Sequence, residues 1–171
     1  GQFHIKSKSG GGPLIDIGVH ALDLIVWLMG SPTATTVSGS VYTKFGHRPD
    51  FYNPYGTYKR EEYDVEDFAC AYIRFDNGSS LILEASWATH LKEEESFPQV
   101  ILGDLGGAEL IPFSKPAATT PLRILKSRDE ALLDIIPSGL PEVKPHTEEI
   151  KYWCSCLRGE NDVLVKAEES L

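Results

Sequence analysis

The most apolar segment of the chain is GGGPLIDIGVHALDLIVWLMG, at residues 10–30 near the amino terminus. Glycines and a proline stand at its start and a glycine at its end, which is the usual punctuation of a helix. The composition between them predicts a buried helix over residues 15–29. Asp16, His20 and Asp23 nevertheless lie inside this helix, and at about 100° per residue they fall on one narrow stripe. Ionisable groups in an apolar element need partners or a cleft, so this polar stripe is a candidate functional site.

The polar stripe has a chemical and a structural interpretation. A carboxylate one turn from an imidazole can fix its tautomer and stabilise its protonated form, as a general acid–base requires. Asp16 and His20 are therefore candidates for a catalytic pair, whereas in the structural interpretation Asp16 accepts backbone N–H groups near the helix start. Asp23, one turn deeper, is expected to be hydrogen-bonded inside the protein as part of a structural network. A metal site formed by Asp16, His20 and His90 is a further alternative, because carboxylate and imidazole groups suit many metals.

Charge and cysteine content narrow the classes of protein to consider. The 171 residues carry a net charge of −9, which argues against nucleic acid or an anionic membrane as a partner. The sequence has no run of 18 apolar residues and no signal-peptide pattern at its start. Its three cysteines favour reduced thiols in the cytoplasm over a disulfide framework. The first residue is glycine and the last segment reads as a helix that is beginning, so we expect a piece of a longer protein.

The rest of the chain predicts an antiparallel sheet followed by a helix. Residues 34–45 are rich in Val, Thr and aromatics, and Asp76-Asn77-Gly78 marks a tight hairpin turn between two strands. More short strands follow within residues 97–137, and HTEEIKYWCSCLRGE (146–160) returns to helix. The order of helix, about six strands and helix predicts an α+β two-layer sandwich, with helices over one face of a mainly antiparallel open sheet.

Alternation along the second hairpin strand predicts two different faces. One face is apolar and comprises Leu81, Leu83, Ala85 and Trp87. The other is mixed and comprises Ile82, Glu84, Ser86, Ala88 and His90. A mixed face suits a cleft wall or a contact between subunits, so we expect the chain to self-associate through this outer side of the sheet.

A long loop at residues 46–64 contains four tyrosines. Loops of this length in compact domains are often functional. Tyr52, Tyr55 and Tyr58 could form the rim of a substrate site or anchor the loop to the protein, and the sequence leaves both interpretations open.

The apolar stretch resembles the hallmark segment of the Gfo/Idh/MocA oxidoreductases, G-G-G-x-L-x-D-x-G-x-H-x-x-D-x-x-x-W-L-x-G. The matching residues are Gly10, Gly11, Gly12, Leu14, Asp16, Gly18, His20, Asp23, Trp27, Leu28 and Gly30. The resemblance continues through YDVEDFACAYIRFDNGSSLILEASWAT and LGDLGGAEL. It covers essentially the whole chain, but only the C-terminal half of the family's architecture.

This resemblance implies a substrate and oligomerisation domain, residues 1–171, of an NAD- or NADP-dependent dehydrogenase. In the family a separate Rossmann domain binds the cofactor and supplies a lysine from an E-K-P motif. The aspartate and histidine of the second domain correspond here to Asp16 and His20. His20 would exchange the proton of a substrate hydroxyl or carbonyl while a hydride moves to or from the nicotinamide, and Asp16 would orient the site. The implied substrate is a sugar, a polyol or a similar small molecule, and the implied assembly is a homo-oligomer.

The cofactor-binding motifs are absent from this sequence. Gly10 and Gly12 are followed by Ile15 where a G-x-G-x-x-G fingerprint requires its third glycine, and no E-K-P occurs. The chain by itself is therefore expected to bind no nicotinamide cofactor and to be inactive. A non-catalytic binding or oligomerisation module of the same fold is the alternative.

Overall fold

A computed structural model describes residues 2–53, 56–91, 99–110, 122–139, 141 and 143–170. These residues form two compact units that divide between Ile136 and Pro137. Parts of the predicted strands at 97–98, 111–113 and 121, and Tyr55 of the long loop, lie outside the described residues.

The first unit opens with helix α1 (Lys6–Ser9), a π-helical turn (Leu14–Gly18) and helix α2 (Val19–Leu28). The predicted helix over 15–29 is thus confirmed, although its first turn is wider than an α-helix. The backbone N–H of Val19 donates to the carbonyl of Leu14, five residues earlier. Such wide turns are rare and often occur at functional sites, and this one contains Asp16.

A three-stranded antiparallel sheet follows, in the order β1 (Ala34–Tyr42), β2 (Phe68–Phe75) and β3 (Ser80–Ser86). The predicted hairpin turn joins β2 to β3. Gly78 has a φ of 85° there, a conformation that glycine adopts without steric cost. The Asn77 side chain accepts a hydrogen bond from the backbone N–H of Ser79 at 3.0 Å. The turn chemistry that the sequence indicated is therefore present.

The core of this unit lies on one face of the three-stranded sheet. Its buried apolar strand residues are Ala69, Ile73, Phe75, Leu83 and Ala85. The π turn packs directly on this face, because a Cβ added at Gly18 would lie 3.1 Å from the Cβ of Ala85. On the opposite face Ile82 is 75% exposed. The two-faced alternation predicted for β3 is confirmed.

A second antiparallel sheet contains β4 (Gln99–Gly103), β5 (Gly106–Leu110), β6 (Leu122–Arg128) and β7 (Ala131–Ile135), in that order. Arg123 on the third of these strands lies 3.4 Å from the carboxylate of Glu109 and 3.3 Å from that of Asp134. The α+β class and the antiparallel pairing are confirmed. Within the described residues β3 and β4 do not pair, so hydrogen bonding divides the strands into two sheets rather than one open sheet.

The second unit contains helix α3 (Pro145–Leu157) and a short 3₁₀ turn (Ala167–Ser170). Pro145 occupies the first turn of α3, where its missing N–H costs nothing. The predicted helix at 146–160 is confirmed, with its end at Leu157. Gly159 just beyond has a φ of 73°, as expected for a residue that terminates a helix.

The helical stretch Lys6–Leu28 has the length and hydropathy of a membrane-crossing helix. A core helix of a soluble protein and an amino-terminal signal sequence satisfy the same criterion. Here Gly18 and Ile25, seven residues apart and therefore on the same side of the helix, are buried. The packing of Gly18 on Ala85 places one side of this stretch against the sheet, while only 28% of its most apolar window is buried.

Candidate functional site

The glycine-rich start of the helical stretch is held by Glu66. The Glu66 carboxylate accepts a hydrogen bond from the backbone N–H of Gly12 at 3.0 Å and one from that of Leu14 at 3.2 Å. A carboxylate at this position is also favoured by the helix dipole. Pro13, between the two donors, is fully buried. Glu66 thereby fixes where the helix begins. Glu66 could not be predicted as part of the site, because nothing local to it in the sequence identifies a partner 54 residues away.

Asp16 is half-buried and is bound from the sheet. The indole Nε1 of Trp87 donates a hydrogen bond to the Asp16 Oδ2 atom at 3.0 Å. Trp87 follows the last residue of β3 on the apolar face that the alternation predicts. An indole nitrogen that is partly buried requires an acceptor, and Asp16 supplies it, although nothing in the local sequence identifies a partner 71 residues away.

His20 lies one turn after Asp16, in the first turn of α2, and its side chain is exposed. Both side chains are therefore accessible, as predicted for residues that line a cleft. No hydrogen bond joins the two side chains in the described structure. The site consists of a carboxylate held in place and an accessible imidazole on the same helical stretch. The catalytic roles of Asp16 and His20 remain predictions.

Asp23 is exposed, so the prediction that it is hydrogen-bonded inside the protein is wrong. The reason is the direction in which the helix packs. Ile25 is the buried residue of α2 and lies about 200° around the helix from Asp23. The expectation of burial all round the helix fails for the same reason, because Ile15 is 51% and Trp27 is 48% exposed.

Among the described residues, the most buried carboxylate belongs to Asp67, which is 1% exposed. Its Oδ2 atom accepts hydrogen bonds from three consecutive backbone N–H groups, those of Lys44, Phe45 and Gly46, at 2.7, 2.6 and 3.0 Å. Three backbone donors on one carboxylate oxygen fix the position of the Asp67 side chain. Asp67 thus holds the segment that follows β1 next to the start of β2. This position indicates a structural role.

Part of the long loop is anchored by aromatic side chains. The Tyr58 hydroxyl donates to the carbonyl of Gly46 at 2.7 Å, and the Arg60 guanidinium lies 5.2 Å from the centre of the Tyr58 ring. Tyr63 is buried beside Tyr58, and this burial raises the pKa of the Tyr63 hydroxyl well above its usual range. Tyr58 therefore anchors the loop, whereas Tyr52 is 79% exposed and remains free to line a rim.

The third ligand of the alternative metal site lies among aromatic rings. The His90 ring is 5.1 Å from that of Phe45, edge to face, and 6.2 Å from that of Phe51. Among the residues described, no group of three or more potential ligands is close enough to hold a metal ion. The structure gives this alternative no support.

An apolar groove of about 260 Å³ lies on the three-stranded sheet beside the π turn. Its lining includes Leu14, Val37, Val41, Ala69, Cys70 and Leu83. Neither Asp16 nor His20 contributes to it. The groove has no acid–base pair, so it is separate from the candidate site.

The glycine-rich turn at residues 10–12 does not fit the pyrophosphate of a nicotinamide cofactor. Glycine-rich turns before helices bind phosphate through free backbone N–H groups. Here the N–H groups of Gly12 and Leu14 already donate to Glu66. The negative charge of Glu66 would in addition repel a phosphate. The turn therefore binds the Glu66 side chain of the same chain rather than a phosphate group.

Residues 1–109 match the family model of the GFO/IDH/MocA C-terminal domain. The D-glucoside 3-dehydrogenase of Escherichia coli K12 is 28% identical over 169 residues, which span 99% of this chain and 45% of that protein. The solved structures that are similar in fold include two enzymes that act on sugars by name. The aldose-aldose oxidoreductase of Caulobacter crescentus, complexed with glycerol, has a TM-score of 0.70 at 15% identity and covers 99% of this chain and 44% of its own.

The second structure is a levoglucosan dehydrogenase in complex with NADH and L-sorbose. It has a TM-score of 0.71 at 19% identity over 99% of this chain and 48% of its own. The chain thus spans less than half the length of each of these three proteins. Together with the family match over residues 1–109, the hallmark segment identifies this chain as a member of the GFO/IDH/MocA family that corresponds to its C-terminal domain.

Proposed function

We propose that residues 1–171 form the C-terminal domain of an NAD(P)-dependent oxidoreductase that acts on a hydroxyl or carbonyl group of a sugar, a polyol or a similar small molecule. Family membership supports the reaction class. The names of the relatives support the substrate class, since they include a D-glucoside 3-dehydrogenase and a levoglucosan dehydrogenase bound to NADH and L-sorbose.

The observation that carries this proposal is the placement of Asp16 and His20. The Asp16 carboxylate is fixed by the Trp87 indole at 3.0 Å, and the exposed His20 imidazole follows one turn later. In the proposed reaction His20 takes the proton of the substrate hydroxyl during oxidation and returns it during reduction. Asp16 orients the substrate and stabilises the protonated imidazole. A nicotinamide bound by another part of the enzyme would exchange the hydride.

The cellular setting belongs to the same proposal. Cys70, Cys154 and Cys156 are free thiols, which fits a reducing compartment such as the cytoplasm. The negative net charge fits a small-molecule substrate better than nucleic acid or an anionic membrane. The choice between NAD and NADP depends on residues that contact the ribose, and we place those residues outside this chain.

The test is an activity assay of the full-length protein that contains this chain. NAD⁺ and NADP⁺ would each be supplied with glucosides, free aldoses and polyols, and the formation of reduced nicotinamide would be followed by its absorbance. We expect one of these substrate classes to be oxidised with one of the two cofactors. Absence of turnover with every combination, in a folded protein that binds the cofactor, would contradict the proposed substrate class.

A second candidate function, a non-catalytic oligomerisation module, is favoured by the outer face of the three-stranded sheet. Tyr72 and Ile82 face each other across β2 and β3 and are 46% and 75% exposed. An exposed aromatic–aliphatic pair on a sheet suits a contact between subunits. The same contact would serve the enzyme, which we propose to be a homo-oligomer. Sedimentation of the wild-type protein and of Ile82→Glu tests it, and an unchanged mass would exclude this face.

A further inference from the structure

Trp87 is the single described side chain that donates a hydrogen bond to Asp16. The two residues are 71 positions apart in sequence, and their contact joins the helical stretch to the end of β3 at 3.0 Å. The indole nitrogen is a donor only, so the polarity of the contact is unambiguous. A hydrogen bond to an ionised carboxylate is among the stronger ones in proteins. The contact therefore restrains the rotation of the Asp16 side chain.

The backbone of Trp87 is itself anchored. Its N–H donates to the carbonyl of Asp67 at 3.1 Å, and the Ser86 hydroxyl donates to the same carbonyl at 2.7 Å. Asp67 in turn holds the chain after β1 through its buried carboxylate. The Ser86 hydroxyl also accepts the N–H of Ala88 at 3.0 Å. The indole is thus presented from a bend directly after β3, which these hydrogen bonds tie to Asp67 and Ser86.

A second contact holds the π turn close to β3. Gly18, two residues after Asp16, packs on Ala85, two residues before Trp87. Ala85 on β3 and Trp87 just after β3 therefore both contact the helical stretch, and both belong to the same face of the strand. The close Gly18–Ala85 approach sets the distance between the two elements, and the Trp87–Asp16 hydrogen bond sets which way the carboxylate points.

We propose that Trp87 is a positioning residue of the active site, which holds one oxygen of Asp16 and leaves the other available to the substrate. In the described structure the Oδ1 atom of Asp16 has no hydrogen-bond partner. This inference rests on the proposed function, because it assumes that Asp16 belongs to the acid–base site. Trp87 acts only through Asp16, and this property distinguishes it from a residue that merely stabilises the fold.

The test is a double-mutant cycle in the full-length enzyme. Trp87→Phe removes the N–H donor and keeps an aromatic ring, and Trp153→Phe on α3 is the matched control. We expect Trp87→Phe to lower kcat by about 10-fold, the size of one lost hydrogen bond to a charged group, with little change in KM. In the Asp16→Ala background, where the indole has no side-chain acceptor at position 16, the same change is expected to lower kcat by less than about 2-fold.

Equal losses in both backgrounds would show that Trp87 has a structural role only and would overturn the inference. Full activity of Trp87→Phe, in an enzyme that Asp16→Ala impairs, would overturn it as well. The wild-type assay separates this failure from that of the proposed function. A protein without dehydrogenase activity contradicts the function, whereas an active one that is insensitive to Trp87→Phe contradicts the inference alone.

The hydrogen bond also has a readout that is independent of turnover. In protein labelled with ¹⁵N-tryptophan, Asp16→Ala is expected to shift the indole N–H resonance of Trp87 and to speed its exchange with solvent. The Trp153 resonance is expected to remain in place and serves as the internal control. A Trp87 resonance that Asp16→Ala leaves unchanged in position and exchange rate would overturn the inference even where activity is too low to measure.

Discussion

Gly12 lies so close to Glu66 that a Cβ at position 12 would be 2.1 Å from the Glu66 carbonyl oxygen. The Glu66 side chain meanwhile accepts the Gly12 N–H at 3.0 Å. The backbone and the side chain of Glu66 therefore both contact the turn that precedes Asp16 and hold it in place. The position of the candidate site depends on this contact between two segments that are distant in sequence.

Gly12→Ala is expected to destabilise the chain by about 3 kcal/mol, because a backbone carbonyl cannot move aside as a flexible side chain can. Gly11→Ala is the matched control. A Cβ at position 11 would meet the side chain of Ile15 at 2.8 Å, and Ile15 is half-exposed and can adjust. Neither glycine has a left-handed φ. Urea unfolding of both variants measures the difference, and equal midpoints would contradict this role of Glu66.

Asp67→Ala is expected to cost about 3 kcal/mol or more, because it removes the acceptor of three backbone N–H groups and leaves them unpaired. Asp23→Ala is expected to change stability by less than about 0.5 kcal/mol, as is usual for an exposed surface residue. Both values come from chemical denaturation of the same protein. A large loss for Asp23→Ala would restore the structural network that the sequence suggested for this residue.

Several features of this site follow from sequence patterns alone. The spacing of apolar residues and the glycines and proline at its ends locate the helix and the polar stripe. Asn77-Gly78 locates the hairpin. The direction of burial does not follow, because helix and sheet make contact through Gly18 and Ala85, two small residues that carry little hydrophobic signal. Partners distant in sequence, such as Glu66 for the helix start and Trp87 for Asp16, depend on the tertiary arrangement, and local spacing cannot reveal them.

Tyr63 is expected to make the folded state sensitive to alkaline pH. Burial raises its pKa in the folded protein above the ordinary value of about 10. Above that pH the unfolded chain loses the proton while the folded chain retains it, so stability falls as pH rises. Tyr63→Phe is expected to make the urea midpoint less dependent on pH above about pH 10. A pH dependence equal to that of the wild type would show that Tyr63 is not the responsible group.

The isolated chain is expected to show no saturable micromolar binding of NADH or NADPH, because Glu66 occupies the N–H groups of its glycine-rich turn. Calorimetric titration of the chain and of the full-length protein gives the comparison, with binding expected only for the latter. Saturable binding by the isolated chain would mean that it contains a cofactor site of its own.

The role of His20 as the general acid–base of the proposed reaction is tested by kcat/KM of His20→Ala in the full-length enzyme. We expect a decrease of roughly 10²–10⁴-fold, the usual contribution of such a group, with an unchanged thermal midpoint because the ring is exposed. His146→Ala, at an exposed histidine of α3, is the control and is expected to retain full activity. A His20→Ala enzyme with wild-type kcat/KM and a lowered thermal midpoint would contradict the account and make the polar stripe a structural feature.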